Sequence, residues 1–223
     1  MIRLGKLASA VTGLFAVGIT LLTTGCGSSN TTVRLMNAFV GLSSVDLLLA
    51  NKSVITGVTY GGASGYTAAS SDSSSLQIAA TGNPNALLNQ SISLQSGAFS
   101  TVLATSSGAI VLSDDHTAPA SGTIEIRVIN ASPTLGTADV YIVAPGTDIS
   151  TVSPVVSSLT YQSASGYIPM NAGSYEVIFT QAGQKFAFID SNSLSFSAGQ
   201  IRTIVGLNGQ NGGFTTSVLS DLN

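Results

Sequence analysis

Tryptophan is absent from the 223-residue chain, histidine and cysteine occur once each, and only 8% of the residues are charged. One His and one Cys cannot build a Cys/His zinc site, and a single Cys has no disulfide partner within the chain. No metal or cofactor is expected. Lys+Arg number 7 against Asp+Glu 10, for a formal charge of −3, so the broad basic face that neutralises a nucleic-acid backbone is missing. A nucleic-acid partner is therefore not expected. Scarce charge combined with 44% hydrophobic residues also excludes a disordered tail, which needs the reverse. What is abundant is small and hydroxylated: 57 residues are Ser or Thr. That composition suits sheets whose wet faces carry β-compatible polar residues.

The N-terminus reads as an address. Arg3 and Lys6 precede sixteen uncharged, mostly apolar residues, Leu7 to Leu22. The run is shorter than the roughly 20 residues that span a bilayer and suits the apolar core of a secretory signal peptide. It ends in Thr23-Thr24-Gly25-Cys26. A small residue directly before the lone Cys resembles the lipobox of bacterial lipoproteins, although Thr23 stands where lipoboxes usually carry Leu. That resemblance implies cleavage before Cys26 and lipid on its thiol. Residue 27 is Gly and not Asp, which in enteric-type lipoproteins implies export to the outer membrane. The expected location is the cell envelope, with a membrane partner through the lipid anchor.

The remainder is written twice. VRLMNAFVGLSSVDLLL (33–49) aligns without gaps to IRVINASPTLGTADVYI (126–142), with Arg34/Arg127, Asn37/Asn130, Ala38/Ala131, Leu42/Leu135 and Asp46/Asp139 identical. VTYGGASGY (58–66) matches LTYQSASGY (159–167), after eight extra residues in the second copy, and Leu112-Ser113-Asp114 matches Leu219-Ser220-Asp221. Three blocks in one order point to duplication. The expected organisation is a signal peptide over 1–25, a polar tether over 26–32, one repeat over 33–115, a linker over 116–122 and a second repeat over 123–223.

Alternation of period two dominates both copies. Ala138, Val140 and Ile142 share one face while Asp139 and Tyr141 take the other, and Ile124, Ile126 and Val128 oppose Glu125 and Arg127. Turn signals such as Ala172-Gly173, Ala182-Gly183, Ala198-Gly199 and Asn208-Gly209 recur every 8–12 residues in the second copy. Short strands at that spacing predict an all-β chain: two tandem antiparallel β-sandwiches of immunoglobulin-like type, following an N-terminal signal helix.

The pattern RVINASPTLGTADVY (127–141), LTYQSASGY (159–167) and NAGSYEV (171–177) resembles domain of unknown function 4397. Its members are bacterial exported proteins and lipoproteins, often with the domain in tandem. The family's His-Ala-Ser-Pro stands here as Asn130-Ala131-Ser132-Pro133, and as Asn37-Ala38-Phe39-Val40 in the first copy. The resemblance implies an envelope sandwich and brings no catalytic residue with it.

Chemistry has few carriers. The only imidazole, His116, falls in the expected linker, where Asp114-Asp115-His116 reads as a solvated stretch and not as converging metal ligands. Asp46 and Asp139 are either ligand-binding carboxylates or structural acids, placed near Arg34 or Arg127 or bonding a loop amide. Tyr60/Tyr66 and their counterparts Tyr161/Tyr167 either stack on sugars or peptides or bond neighbouring backbone. Tyr161, Tyr167 and Asp139 are the candidate ligand contacts, and catalytic residues are none. The expectation is a non-catalytic, lipid-anchored binding or scaffolding module. Its loops, 69–75 and 144–154 first among them, would meet envelope polysaccharide or protein. The alternative is an envelope carbohydrate-active enzyme using a carboxylate pair.

Overall fold

The computed structural model describes residues 29–223. The expected signal peptide, Cys26 and the start of the tether lie outside the described residues. Those described are all-β apart from one 3-10 turn, Ile149–Thr151. The first half contains β1 (Asn30–Ala38), β2 (Ser44–Leu49), β3 (Lys52–Thr59), β4 (Thr67–Ser70), β5 (Ser75–Ala80), β6 (Ala86–Ser91), β7 (Phe99–Thr105) and β8 (Gly108–Asp114). The second contains β9 (Thr123–Asn130), β10 (Ala138–Val143), β11 (Val156–Leu159), β12 (Ser163–Ala164), β13 (Ile168–Asn171), β14 (Gly173–Gln181), β15 (Ala187–Asp190), β16 (Leu194–Phe196), β17 (Ile201–Asn208) and β18 (Phe214–Leu222). β1 opens at Asn30, so residues 30–32, expected in a polar tether, are strand.

Each half is a sandwich. In the first, sheet β4-β1-β7-β8 covers sheet β3-β2-β5-β6; in the second, β9-β17-β18, edged by β12 and β13, covers β11-β10-β14-β15, with β16 on β14. Odd positions of β1 (Val33, Leu35) meet Val45, Leu47, Leu76 and Ile78 in one core. Even positions of β9 (Ile124, Ile126, Val128) meet Val140, Val177, Phe179 and Ile189 in the other. Pairing is antiparallel except at one place in each sandwich: β1 runs parallel to β7 and β9 to β17. Parallel neighbours need a long crossover, and here the crossover is the whole of the opposite sheet.

The faces expected to be wet are largely dry. Even positions of β1 (Met36, Ala38), Ile129 of β9 and Ala131 just after it join Leu103, Val205, Leu207 and Leu219 in a third core between the two sandwiches. Tyr141, assigned by alternation to a polar face, is 1% exposed. The extra residues of the second copy explain it. They fold back over the outer face of β10 and β14, where Ile149 and Val152 pack on Tyr141 and Ile178. Lys185 Nζ rests 4.7 Å from the Tyr141 ring centre and donates to the Ile149 (2.9 Å) and Val152 carbonyls.

The registers define two ends. The start of β1 pairs with the end of β4, and the starts of β7 and β17 lie beside those of β1 and β9. One end, the root, therefore carries Asn30, the connection 115–122 and the C-terminus. The opposite end, the crown, carries the loops 39–43, 60–62, 81–85 and 106–107 of the first sandwich and 131–137, 160–162, 182–186 and 209–213 of the second. Loop 71–74 lies at the root and 144–154 against the outer face of the second sandwich, so neither segment expected to carry recognition is at the crown.

Gly206 faces inward on β17, where a Cβ would lie 3.0 Å from Ile189 Cδ1 and 3.1 Å from Phe179 Cε1. Overfilling a packed core costs about 1–3 kcal/mol. Gly206→Ala should lower the urea midpoint accordingly without changing the slope, while an unchanged midpoint would show that this part of the core has slack.

Candidate functional site

Two places hold the polar chemistry: a buried clamp between the sandwiches and the crown that it orients. The clamp begins with strand alternation. Arg34 sits in step with Met36 and Ala38, and Arg127 with Ile129 and Ala131, so each guanidinium points into the interface between the sheets. There each meets the carboxylate that closes the other sandwich. Arg127 Nη2 donates to Asp114 Oδ1 at 2.6 Å, and Arg34 Nη2 donates to Asp221 Oδ1. The crossed contacts, Arg34 to Asp114 and Arg127 to Asp221, are 3.8 and 3.9 Å. All four side chains are buried.

Every other polar atom of the clamp is matched in the same reciprocal way. Arg34 Nε donates to Thr101 Oγ1 (2.7 Å) and Nη1 to the Ser220 carbonyl (2.8 Å). Arg127 Nε donates to Thr203 Oγ1 (2.9 Å) and Nη1 to the Ser113 carbonyl (2.9 Å). Thr101 and Tyr66 donate to Asp114 Oδ2 at 2.6 and 2.7 Å, and Thr203 and Tyr167 to Asp221 Oδ2 at 2.6 and 2.9 Å. Arg34 lies 4.8 Å from the Tyr66 ring centre and Arg127 4.7 Å from that of Tyr167. A buried ion pair is tolerated when its remaining donors and acceptors are satisfied, and here they are. Burial is the largest influence on the Tyr66 and Tyr167 hydroxyls. It drives both pKa values upward; the stacked guanidinium pulls them back in part, and the accepting carboxylates raise them again.

Each residue singled out from the sequence has a place. Tyr167 is a clamp member, and its hydroxyl also accepts the Asp115 amide at 3.3 Å. Asp139 accepts the Ser158 and Gly183 amides, both at 2.8 Å. Its counterpart Asp46 accepts the Gly57 amide and the Thr81 hydroxyl, both at 2.7 Å on one oxygen. Neither acid meets an Arg; both tie loops. The tyrosine preceding each Ala-Ser-Gly-Tyr block lies at the crown: Tyr60 Oη donates across to the Asn208 carbonyl at 2.7 Å, whereas the buried Tyr161 Oη has no partner among the described residues. His116 is half-buried, in contrast to the solvated stretch expected. Its ring stacks on Phe99 at 3.7 Å and meets Tyr66 edge-on at 5.0 Å, because the connection 115–122 packs against the root. Asp114, expected in that same solvated stretch, is the last residue of β8 and belongs to the clamp. Among the described residues no three His, Cys, Asp or Glu side chains are grouped to hold a metal, and no helix is long and apolar enough to cross a membrane.

The crown carries an open hollow of about 490 Å³ between the sandwiches, lined by Tyr60, Gly61, Thr215, Thr216 and the loop from Gly209 to Gly212. Gln210 Nε2 reaches the Leu42 carbonyl across it at 3.4 Å. On the far side of the same β17–β18 hairpin, Phe214 meets Phe188 edge-on at 5.7 Å, and Phe188 meets Phe186 edge-on at 5.3 Å. Phe186 is 70% exposed. In the sequence Phe186, Phe188 and Phe214 stand apart, with no local pattern to show that the three rings meet.

The fold and the clamp define a class: a two-sandwich, all-β protein with its halves locked by reciprocal ion pairs. Residues 31–141 match the model of a domain of unknown function, DUF4397. The match covers the first sandwich and continues through β9 into β10. No curated protein shows a significant sequence match. Solved structures with similarity include an α-glucan-recognising family 41 carbohydrate-binding module from streptococcal virulence factors, at 12% identity over 84% of this chain and 96% of that one, TM-score 0.30. Another is a family CBM26 module of Eubacterium rectale Amy13K in complex with maltoheptaose, at 14% identity over 85% and 96%, TM-score 0.26. Likeness at these TM-scores transfers no ligand to the present chain.

Removing one partner of a buried pair costs about 3–5 kcal/mol, because the other is left charged in a dry site. Arg127→Met should lose that much in chemical denaturation, and Arg127→Met with Asp114→Leu should lose clearly less than the sum of the single changes. Additive losses would show that the pair is not coupled. The clamp tyrosines have folded pKa values above the ordinary value of about 10. Their contribution to stability is complete below that pH and is lost as the pH rises through the folded values. Stability should therefore fall in alkali, and Tyr66→Phe with Tyr167→Phe should flatten that fall; an identical alkaline profile would contradict it.

Proposed function

We propose that the chain is a non-catalytic binding module of the cell envelope, anchored through lipid on Cys26 and presenting its crown away from the anchor. The observation that carries this reading is the placement of the termini. β1 opens at the root a few residues after Cys26, and the clamp holds both sandwiches with their crown loops side by side at the other end. Loops displayed on a rigid scaffold are where β proteins concentrate recognition. The second sandwich repeats the strand order of the first and adds β12 and β16, which supports a tandem arrangement of the same domain.

The repeated residues that offer chemistry have internal duties, which favours binding over turnover. Asp46 and Asp139 lie in separate sandwiches and tie loops. Asp114 and Asp221 do approach one another, but both carboxylates are fully buried and held between two guanidinium groups. A glycosidase needs two carboxyls flanking a bond in one open site, so the carboxylate-pair enzyme finds no support in this arrangement.

Metabolic palmitate labelling tests the anchor: label on the wild-type chain and none on Cys26→Ala, with the variant moving to the soluble fraction. Orientation is tested in envelope vesicles with a bulky maleimide. Ser107→Cys at the crown should react faster than Ser96→Cys at the root. Label on neither form, or a root that reacts as fast as the crown, would sink the proposal.

A further inference from the structure

We infer that the crown binds a neutral polysaccharide chain, with the ring of Phe186 as its stacking platform and the amide side chains of loop 209–213 as partners for sugar hydroxyls. The inference rests on the reading of the chain as a binding module and names its ligand class.

Charge is the first argument. Of all the crown loops, only 182–186 contains a charged residue, Lys185, and its ammonium is turned onto the Ile149 and Val152 carbonyls and the Tyr141 ring. The acids near that end, Asp46 and Asp139, are engaged with loop amides and a hydroxyl. Among the described residues the other charged ones lie in the clamp, at the root or along the strands and the insertion. A polyanion would find no free cation here and a polycation only the single half-buried carboxylate of Asp46, on one side of loop 81–85, while binding partners match in electrostatic character. The partner of an uncharged surface is uncharged.

The second argument is what the crown offers instead. Loop 209–213 is Gly-Gln-Asn-Gly-Gly, and it walls a hollow of about 490 Å³, within the usual range for small-ligand sites of roughly 300–1,000 Å³. An Asn or Gln side chain presents a carbonyl acceptor and two N–H donors together, which suits neighbouring hydroxyls that are each donor and acceptor. Three glycines leave the backbone of the loop accessible as well.

The third argument is the aromatic row. An aromatic ring 70% exposed carries an apolar cost that a bound ligand would relieve. Phe188 and Phe214 hold edge-to-face contacts behind it, a preferred aromatic geometry, so the platform is set before any ligand arrives. A pyranose presents an apolar face of C–H groups and a rim of hydroxyls, and a chain of several sugars can meet the ring on one side of the β17–β18 hairpin and the amides of its loop on the other. A stable protein partner would need a desolvated apolar centre within a patch of about 800 Å² on each side. One exposed ring backed by two partly buried ones does not provide that.

The test is affinity electrophoresis of the full chain in native gels containing dextran, mannan, laminarin or glycogen, with polygalacturonate as the charged control. Retardation is expected in at least one neutral gel. Phe186→Ala should weaken it by roughly tenfold or more, as loss of a central aromatic contact does, and Gln210→Ala with Asn211→Ala should weaken it too, both with unchanged melting temperature. No retardation in any neutral gel, retardation in polygalacturonate alone, or retention indifferent to both variants overturns the inference. The maleimide experiment separates the two levels. A crown that is accessible yet retarded by no neutral gel loses the polysaccharide but keeps the module, with protein as the remaining partner class. A crown that is not accessible loses both.

Discussion

The structure depends on one constraint: two arginines and two aspartates are buried between the sandwiches, and each arginine must find the aspartate of the other half. A guanidinium or carboxylate in a dry site without its counterpart is strongly unfavourable, whereas the paired and fully hydrogen-bonded set roughly offsets its own desolvation. The clamp therefore adds little net stability compared with an apolar interface of the same shape. What it adds is registry. Met36, Ala38, Ile129, Val205 and Leu207 would tolerate a small slide of one sheet over the other, but Arg34 and Arg127 would not. The rings of Tyr66 and Tyr167 close the arrangement over each guanidinium, and their hydroxyls fill acceptor positions on the carboxylates that would otherwise be empty.

That registry fixes direction. Since β1 and β9 both carry their arginine near the root and their asparagine near the crown, clamping the arginines aligns the two strands and brings all loops of one kind to one end. Tyr60 reaching the Asn208 carbonyl and Gln162 reaching Thr105 Oγ1 (2.7 Å) are the crown's own cross-links. The parallel pairs β1–β7 and β9–β17 belong to the same logic. They return the chain to the clamped sheet after the outer sheet is complete, so that Asp114 and Asp221 come at the end of the last strand of each half, beside the root.

Much of this was legible in the sequence, and the limits have a physical cause. Alternation and turn spacing specify strands, and the three repeated blocks specify the duplication, because both are local patterns. The alternative that Asp46 and Asp139 bond backbone amides was partly within reach, since Gly57 and Ser158 lie 11 and 19 residues along the chain, whereas Gly183 is 44 away. The clamp was not: Arg34 and Asp221 are separated by 187 positions. The identity of Arg34 with Arg127 and of Leu-Ser-Asp at both ends held the signal, but alternation cannot tell a face that meets water from one that meets a second sandwich. The same blindness placed Tyr141 on a wet face, when the insertion of its own copy covers it. Phe186 has no such local signal, because it lies in the loop just before β15, where alternation does not decide which way a side chain faces.

The differences between the copies bear on function as much as the identities do. Clamp residues are repeated one for one, so the interface tolerates no drift on either side. Drift is collected elsewhere and mostly in the second half: the insertion that buries Tyr141 and captures Lys185, the β17–β18 hairpin with its glycine-rich loop, and the aromatic row Phe186, Phe188 and Phe214. In the first half the equivalent hairpin between β7 and β8 turns tightly through Ser106 and Ser107, and its end is held by Gln162 of the other half. The first sandwich thus supplies one wall of the crown hollow through Tyr60 and Gly61 and otherwise supports its neighbour. A site built at the seam in this way needs both copies present and locked, so the clamp, which touches no ligand, sets the shape of the surface that would.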